Sequence, residues 1–138
     1  MSTPSSTAPR AKLVATASLE FEGGFVVYTP TQKSSALKVP PALIKDHGTV
    51  SVEVAVAMAE GALDTSNADV AVSVTGVAGP EPDEKGNPVG LVFFGCARRG
   101  QASFHEKREF GNQGRSAIRC AAAAEALAIM KRCASDER

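Results

Sequence analysis

Apolar residues recur along this chain in two rhythms, one helical and one extended. Val54, Ala55, Met58, Ala59, Ala62 and Leu63 return at three- and four-residue spacing, which predicts an amphipathic helix over residues 51–63. Ser51 is suited to cap it, and Glu53 falls in the first turn, where the exposed amides favour a carboxylate. A longer helix is predicted over residues 115–132, with residues 112–114 at its start. Ile118, Ala122, Leu127, Ile129 and Met130 would form its buried face, and Lys131 and Arg132 suit its C-terminal end. Two short helices are expected at residues 33–37 and 40–47, the second with Pro40 at its start and Gly48 just past its end.

Continuous apolar runs at residues 69–74 and 91–97 predict strands buried on both faces. Phe25-Val26-Val27-Tyr28, after Gly23-Gly24, predicts another strand, and residues 12–16 a further short one. Residues 102–110 read as a more polar edge strand that carries His105 and is guarded by Arg108 and Glu109. This order of elements implies an α/β domain, a mixed β-sheet flanked by helices. Its expected extent is residues 11–133, between a disordered Ser/Thr/Pro-rich tail (1–10) and a short C-terminal tail (134–138).

Composition narrows the picture. A chain of 138 residues without Trp must fill its core largely with Ala and Val, and small side chains favour close helix-on-sheet packing. Fifteen basic residues balance fifteen acidic ones, so no concentrated basic face is expected for nucleic acid or a membrane surface. Arg98-Arg99 reads as a solvated turn. Three cysteines without CxxC spacing argue against a disulfide framework or a zinc site. Cys96 and Cys120 are expected to be buried free thiols, which suits a cytoplasmic protein. No apolar signal-peptide core precedes the domain. His47 and His105 are isolated, and Glu81, Asp83 and Glu84 form an acidic loop expected to be solvated, so neither a metal nor a cofactor is anticipated.

Two places could carry chemistry. The strand ending at Val74 runs into Thr75-Gly76-Val77-Ala78-Gly79-Pro80. Ligands of open α/β sheets bind beyond the carboxyl ends of strands, and glycines let backbone amides approach an anion. Thr75 would add a hydroxyl donor. By spacing alone, a plain turn is the favoured reading. Tyr28, the only tyrosine, lies five residues before Lys33. A desolvated lysine loses its proton and can activate a serine, although a half-buried ring beside a solvated lysine would look the same in sequence.

Together these segments resemble the CinA C-terminal domain, the nicotinamide-nucleotide amidase family. The resemblance is carried by Gly24-Phe25-Val26-Val27-Tyr28 with Lys33, by Gly48-Thr49-Val50-Ser51 with Val54-Ala55, and by Met58-Ala59-Glu60-Gly61-Ala62. It continues through Ala68-Asp69 and Val74-Thr75-Gly76-Val77-Ala78-Gly79-Pro80 to Pro88-Val89-Gly90, and ends with Arg115, Ile118 and Arg119. It implies a three-layer domain that hydrolyses the carboxamide of nicotinamide mononucleotide with a serine nucleophile and no metal. Tyr28 and Lys33 would be the assisting pair. Thr75, Gly76, Ala78 and Gly79 would line the nucleotide pocket, with Arg115 as a phosphate contact.

The chain departs from the family pattern in two ways. The family's first strand ends in Ala-Glu-Ser-Cys-Thr-Gly-Gly, which supplies the nucleophile and leads into a helix. Here Val14-Ala15-Thr16-Ala17-Ser18-Leu19-Glu20 runs almost directly into Gly23-Gly24, so the N-terminal part is shortened. Ser18 is the candidate remnant of the nucleophile, and a plain loop serine is the other reading. Too few residues remain for a parallel crossover, so residues 12–16 would form a hairpin or leave the sheet. Missing helices would bare an apolar sheet face and favour homo-oligomers. The second departure is Glu81-Pro82-Asp83, where negative charge would disfavour a nearby phosphate. A family member that binds a nucleotide or a protein without turnover is the alternative function.

Overall fold

The structure, a computed structural model, describes residues 22–134. Helix α1 (Pro30–Leu37) starts earlier than the sequence pattern suggests, because Thr29 caps it: its Oγ1 accepts the Gln32 N–H at 3.0 Å. Pro30 fits the first turn, where no intrahelical donor is required. Helix α2 (Pro41–His47) ends at Gly48. Helix α3 (Val52–Asp64) is capped by Ser51 as expected, its Oγ accepting from Val54 N–H at 3.2 Å and donating to the Gly48 carbonyl at 2.9 Å.

Strands β1 (Val70–Gly76), β2 (Leu91–Arg98) and β3 (Phe104–Glu109) form a sheet in the order β1-β2-β3. Both pairings are antiparallel, with Ser73 opposite Gly95 and Cys96 opposite Phe104. Helix α4 (Arg115–Ala134) closes the chain. The α/β class holds, while the sheet among the described residues is antiparallel throughout. The strand expected at residues 25–28 is a correction: the segment forms no strand with any of the described residues. Phe25, Val26 and Tyr28 are exposed, and only Val27 packs inward, against the cluster around Leu37. The strand expected at residues 12–16, Ser18 and the tail at 1–10 lie outside the described residues.

Alternation along the strands sends side chains to two faces. Val92, Phe94 and Cys96 meet Ile118, Ala122, Ala126, Ile129 and Cys133 of α4. On the opposite face, Ala71 and Ala97 meet Ala59 and Leu63 of α3. Helices α1 and α2 pack on the far side of α3 through Leu37, Val39, Ile44, Val54 and Met58. A helix thus covers each sheet face. The bare apolar face expected from the shortened N-terminus is not found among the described residues, where Val74 is the one exposed large apolar side chain in a strand, at 38%.

Two further expectations are corrected. Leu127 is exposed, and Ala126 and Cys133 take the inward positions of α4, because their spacing from Ile118, Ala122 and Ile129 keeps one stripe on the sheet. Cys120 is exposed, whereas Cys96 and Cys133 are buried. Arg99 lies exposed at a turn, as expected, and both arginines also satisfy helix ends. Arg98 Nη1 donates to the Cys133 carbonyl at 3.1 Å, at the end of α4. The Arg99 guanidinium donates to the carbonyls of Leu63 (3.1 Å), Ser66 (3.4 Å) and Ala68, at the end of α3. Adjacent arginines point to opposite faces, so each satisfies carbonyls at the C-terminal end of the helix on its own side.

Candidate functional site

The 75–90 region is built as a closed loop on the end of the sheet. Val77 N–H donates to the Leu91 carbonyl at 2.9 Å, and Gly90 N–H returns to the Val77 carbonyl at 2.7 Å. Gly90 has φ +98, and a Cβ there would lie 2.3 Å from the Gly111 carbonyl oxygen, so the backbone needs glycine at this crossing. Phe110 N–H donates to the Gly90 carbonyl at 2.9 Å, which joins the loop base to the end of β3.

Thr75 is buried, and its hydroxyl donates to the Thr49 carbonyl at 2.6 Å. It therefore ties the end of β1 to the turn between α2 and α3 rather than offering its proton to an anion. Gly76 packs against β2, with Val92 Cγ2 only 2.7 Å from where a Cβ would stand. Ala78 is half-buried against the α4 cluster. Arg115, at the first turn of α4, donates from Nη1 to the Gly79 carbonyl at 3.0 Å and so pins the loop to that helix.

The acidic stretch is less open than its composition implies. Asp83 Oδ1 accepts from the amides of Lys85 (3.0 Å) and Asn87 (2.8 Å), and Oδ2 accepts from Asn87 Nδ2 at 2.7 Å. Partial burial opposes ionisation, but the hydrogen bonds from the Asn87 side chain and from the Asn87, Lys85 and Gly86 amides outweigh it and hold the Asp83 carboxyl below its ordinary value. Its charge is turned onto its own loop. The stem of Lys85 lies over Gly48, connecting this loop to the end of α2.

Lys33 is only 6% exposed, on the α1 face that also buries Leu37. Its amine has no hydrogen-bond or ion-pair partner among the described residues. Burial pushes its pKa below the ordinary lysine value, because the ammonium loses hydration. Tyr28 is 76% exposed, and its N–H donates to Gln32 Oε1 at 3.1 Å. Among the described residues no hydrogen bond joins Tyr28 to Lys33. The sequence pattern missed Thr49, whose carbonyl receives Thr75, and Ser73, whose Oγ donates to the Ala55 carbonyl at 2.5 Å and accepts from Gly95 N–H at 3.1 Å. Ser73 was visible in principle as the lone hydroxyl inside an apolar run. Thr49 acts through its backbone, which leaves no mark in sequence.

No group of three or more His, Cys, Asp or Glu side chains among the described residues could hold a metal ion. None of the described helices is long and apolar enough to cross a membrane.

These features define a three-layer α/β domain with a glycine-containing loop pinned at the end of its sheet and a buried lysine on an outer helix. The model of the CinA C-terminal domain matches residues 8–134, and the chain belongs to that family. A CinA-like protein of a Geobacter species is 43% identical over 114 residues, covering 82% of this chain and 27% of the relative. The chain thus spans about a quarter of the length of the curated relatives it matches. Among solved structures, the competence/damage inducible protein CihA from Agrobacterium tumefaciens superposes with a TM-score of 0.80 at 37% identity, covering 88% of this chain and 74% of that one. A CinA superfamily protein from Escherichia coli gives 0.72 at 34% identity, covering 76% and 60% respectively.

Proposed function

We propose that this chain binds nicotinamide mononucleotide and hydrolyses its carboxamide to nicotinate mononucleotide and ammonia. The observation that carries the reading is Lys33: a buried amine, unpartnered among the described residues and with a lowered pKa, is poised to accept a proton. Ser18 is the proposed nucleophile. Its oxygen attacks the carboxamide carbon while its proton passes to Lys33 Nζ. Collapse of the tetrahedral adduct breaks the C–N bond, and the proton on Lys33 leaves with the nitrogen as ammonia. Water then hydrolyses the acyl ester, releasing the carboxylate and restoring the serine. The loop from Thr75 to Gly79 would hold the nucleotide, with Arg115 near its phosphate and Tyr28 assisting the serine beside Lys33. The partner is a small-molecule nucleotide, and the cytoplasm supplies it.

A second reading, a module that binds its nucleotide or a protein without turnover, draws on two observations. Tyr28 faces solvent, and the chain lacks the Ser-Cys-Thr-Gly-Gly run. Ammonia release from nicotinamide mononucleotide, measured for the wild-type chain, Ser18→Ala and Lys33→Ala, separates the two. The amidase reading expects wild-type turnover and a loss on the order of 10²–10⁴-fold in Lys33→Ala. Absence of turnover, with nucleotide binding retained in calorimetry, would establish the second reading. Turnover untouched by Ser18→Ala would remove that serine from the mechanism.

A further inference from the structure

The segment between Gly79 and Gly90 is fastened at both ends and loose between them. Arg115 holds the Gly79 carbonyl at 3.0 Å, and the Gly90 N–H and carbonyl are bonded to Val77 and Phe110. Leu91 N–H also holds the Pro88 carbonyl at 3.2 Å, and Val89 packs with Val77 and Leu91. Residues 80–87 are bonded differently. Asp83 N–H donates to the Asn87 carbonyl at 3.2 Å and Gly86 N–H to the Asp83 carbonyl at 3.0 Å, inside the turn that the Asp83 carboxylate holds. Pro80, Pro82 and Pro88 stiffen the two arms, because each ring fixes φ. Among the described residues, no hydrogen bond or ion pair of residues 80–87 reaches outside the segment.

One side chain bridges the gap to the body. The Lys85 stem lies across Gly48, where a Cβ would stand 2.9 Å from Lys85 Cδ. Gly48 also has φ +80, so glycine alone leaves this seat open. The seat belongs to the turn between α2 and α3, whose Thr49 carbonyl receives the Thr75 hydroxyl. The segment therefore spans the two elements that meet at the end of β1. A stiff tip on fixed ends, resting on the body through one exposed aliphatic stem, can lift as a unit while the sheet stays still. We propose that residues 80–87 form a flap, latched by Lys85 on Gly48, that opens to admit a ligand to the loop after β1 and closes over it. For the identity of the ligand the inference rests on the nucleotide reading above, whereas the latch is independent of it.

Spin labels on Cys120, exposed on α4, and on Glu84→Cys at the exposed flap tip report the flap's position by pulsed electron resonance. Without ligand, the otherwise wild-type chain is expected to give one narrow distance. Lys85→Ala should add a second, displaced population, and Asp83→Ala should broaden the distribution by untying the tip. Saturating nicotinamide mononucleotide should return Lys85→Ala to the closed distance. In stopped flow the nucleotide should leave that variant about tenfold faster than the wild type. Distances unchanged by Lys85→Ala overturn the latch, and distances unchanged by Asp83→Ala overturn the stiff tip. Nucleotide that binds, yet neither narrows the Lys85→Ala distances nor leaves that variant faster, overturns closure over the ligand. A wild type that binds no nucleotide overturns the nucleotide reading instead, and the flap then stands or falls on the ligand-free distances.

Discussion

The two faces of the sheet are packed by different means. Toward α4, contact is made by large apolar groups: Phe94 is fully buried, among Val92, Cys96, Ile118 and Ile129. Toward α3, the neighbours are mostly small: Ala55, Ala59, Ala71 and Ala97, with Leu63, glycine and two hydroxyls. A Cβ on Gly95 would stand 2.3 Å from the Ala55 carbonyl oxygen, so helix and strand backbones meet there almost directly. Ser73 and Thr75 then hydrogen-bond to the carbonyls of Ala55 and Thr49. The α4 face supplies apolar burial, which is non-directional. The α3 face supplies position, since hydrogen bonds at 2.5 and 2.6 Å fix the end of β1 against α3 and its leading turn. The candidate loop leaves β1 at Thr75, so its placement is set by the α3 side and its far edge by Arg115 of α4.

That contrast can be broken from either side. The largest effect is expected for Phe94→Ala, which removes a fully buried ring from the α4 face and should cost about 3–5 kcal/mol in denaturant unfolding. A smaller loss would mean that α4 collapses into the space and that this face is not tightly packed. Gly95→Ala adds a single carbon on the other face and should cost about 1–3 kcal/mol by pushing α3 away from the strand. Under the proposed function it should also weaken nucleotide binding, a change that Phe94→Ala should lack when compared under conditions where both variants remain folded. The smallest effect is one of slope. Lys33 has a lowered pKa in the folded chain, so between its folded and unfolded values the unfolded state holds more protons, and stability rises with pH across that window. Lys33→Met should flatten this rise in thermal melts taken from neutral to alkaline pH. An unchanged slope would mean that the lysine is solvated.

Much of this was legible in the sequence. The 51–63 helix and its Ser51 cap and the runs that became β1 and β2 all rest on local rules: periodicity and capping chemistry. The strand at residues 25–28 was misread for a physical reason. Phe, Val and Tyr favour a pleated surface only when a neighbouring strand provides one, and among the described residues none pairs with them. Leu127 was misplaced because a run of alanines leaves the orientation of a helix weakly marked, and the sheet chose Ala126 and Cys133 instead. The helix ends that Arg98 and Arg99 satisfy left no mark in the sequence, because they lie 35 and 36 residues away from them along the chain.

By itself the sequence determined the order of elements from residue 30 onward, the α/β class and the family, since each follows from local pattern or motif order. Tertiary structure alone decided that the Thr75 hydroxyl is a strut to Thr49, that Arg115 pins Gly79, and that Asp83 is folded onto its own loop. It also decided that Lys33 is buried while Tyr28 is exposed. Whether a polar group holds the fold or is left for a ligand depends on which partners come within hydrogen-bonding distance. For Thr75 and Arg115 the partner is a backbone carbonyl distant in sequence, and every residue type carries one.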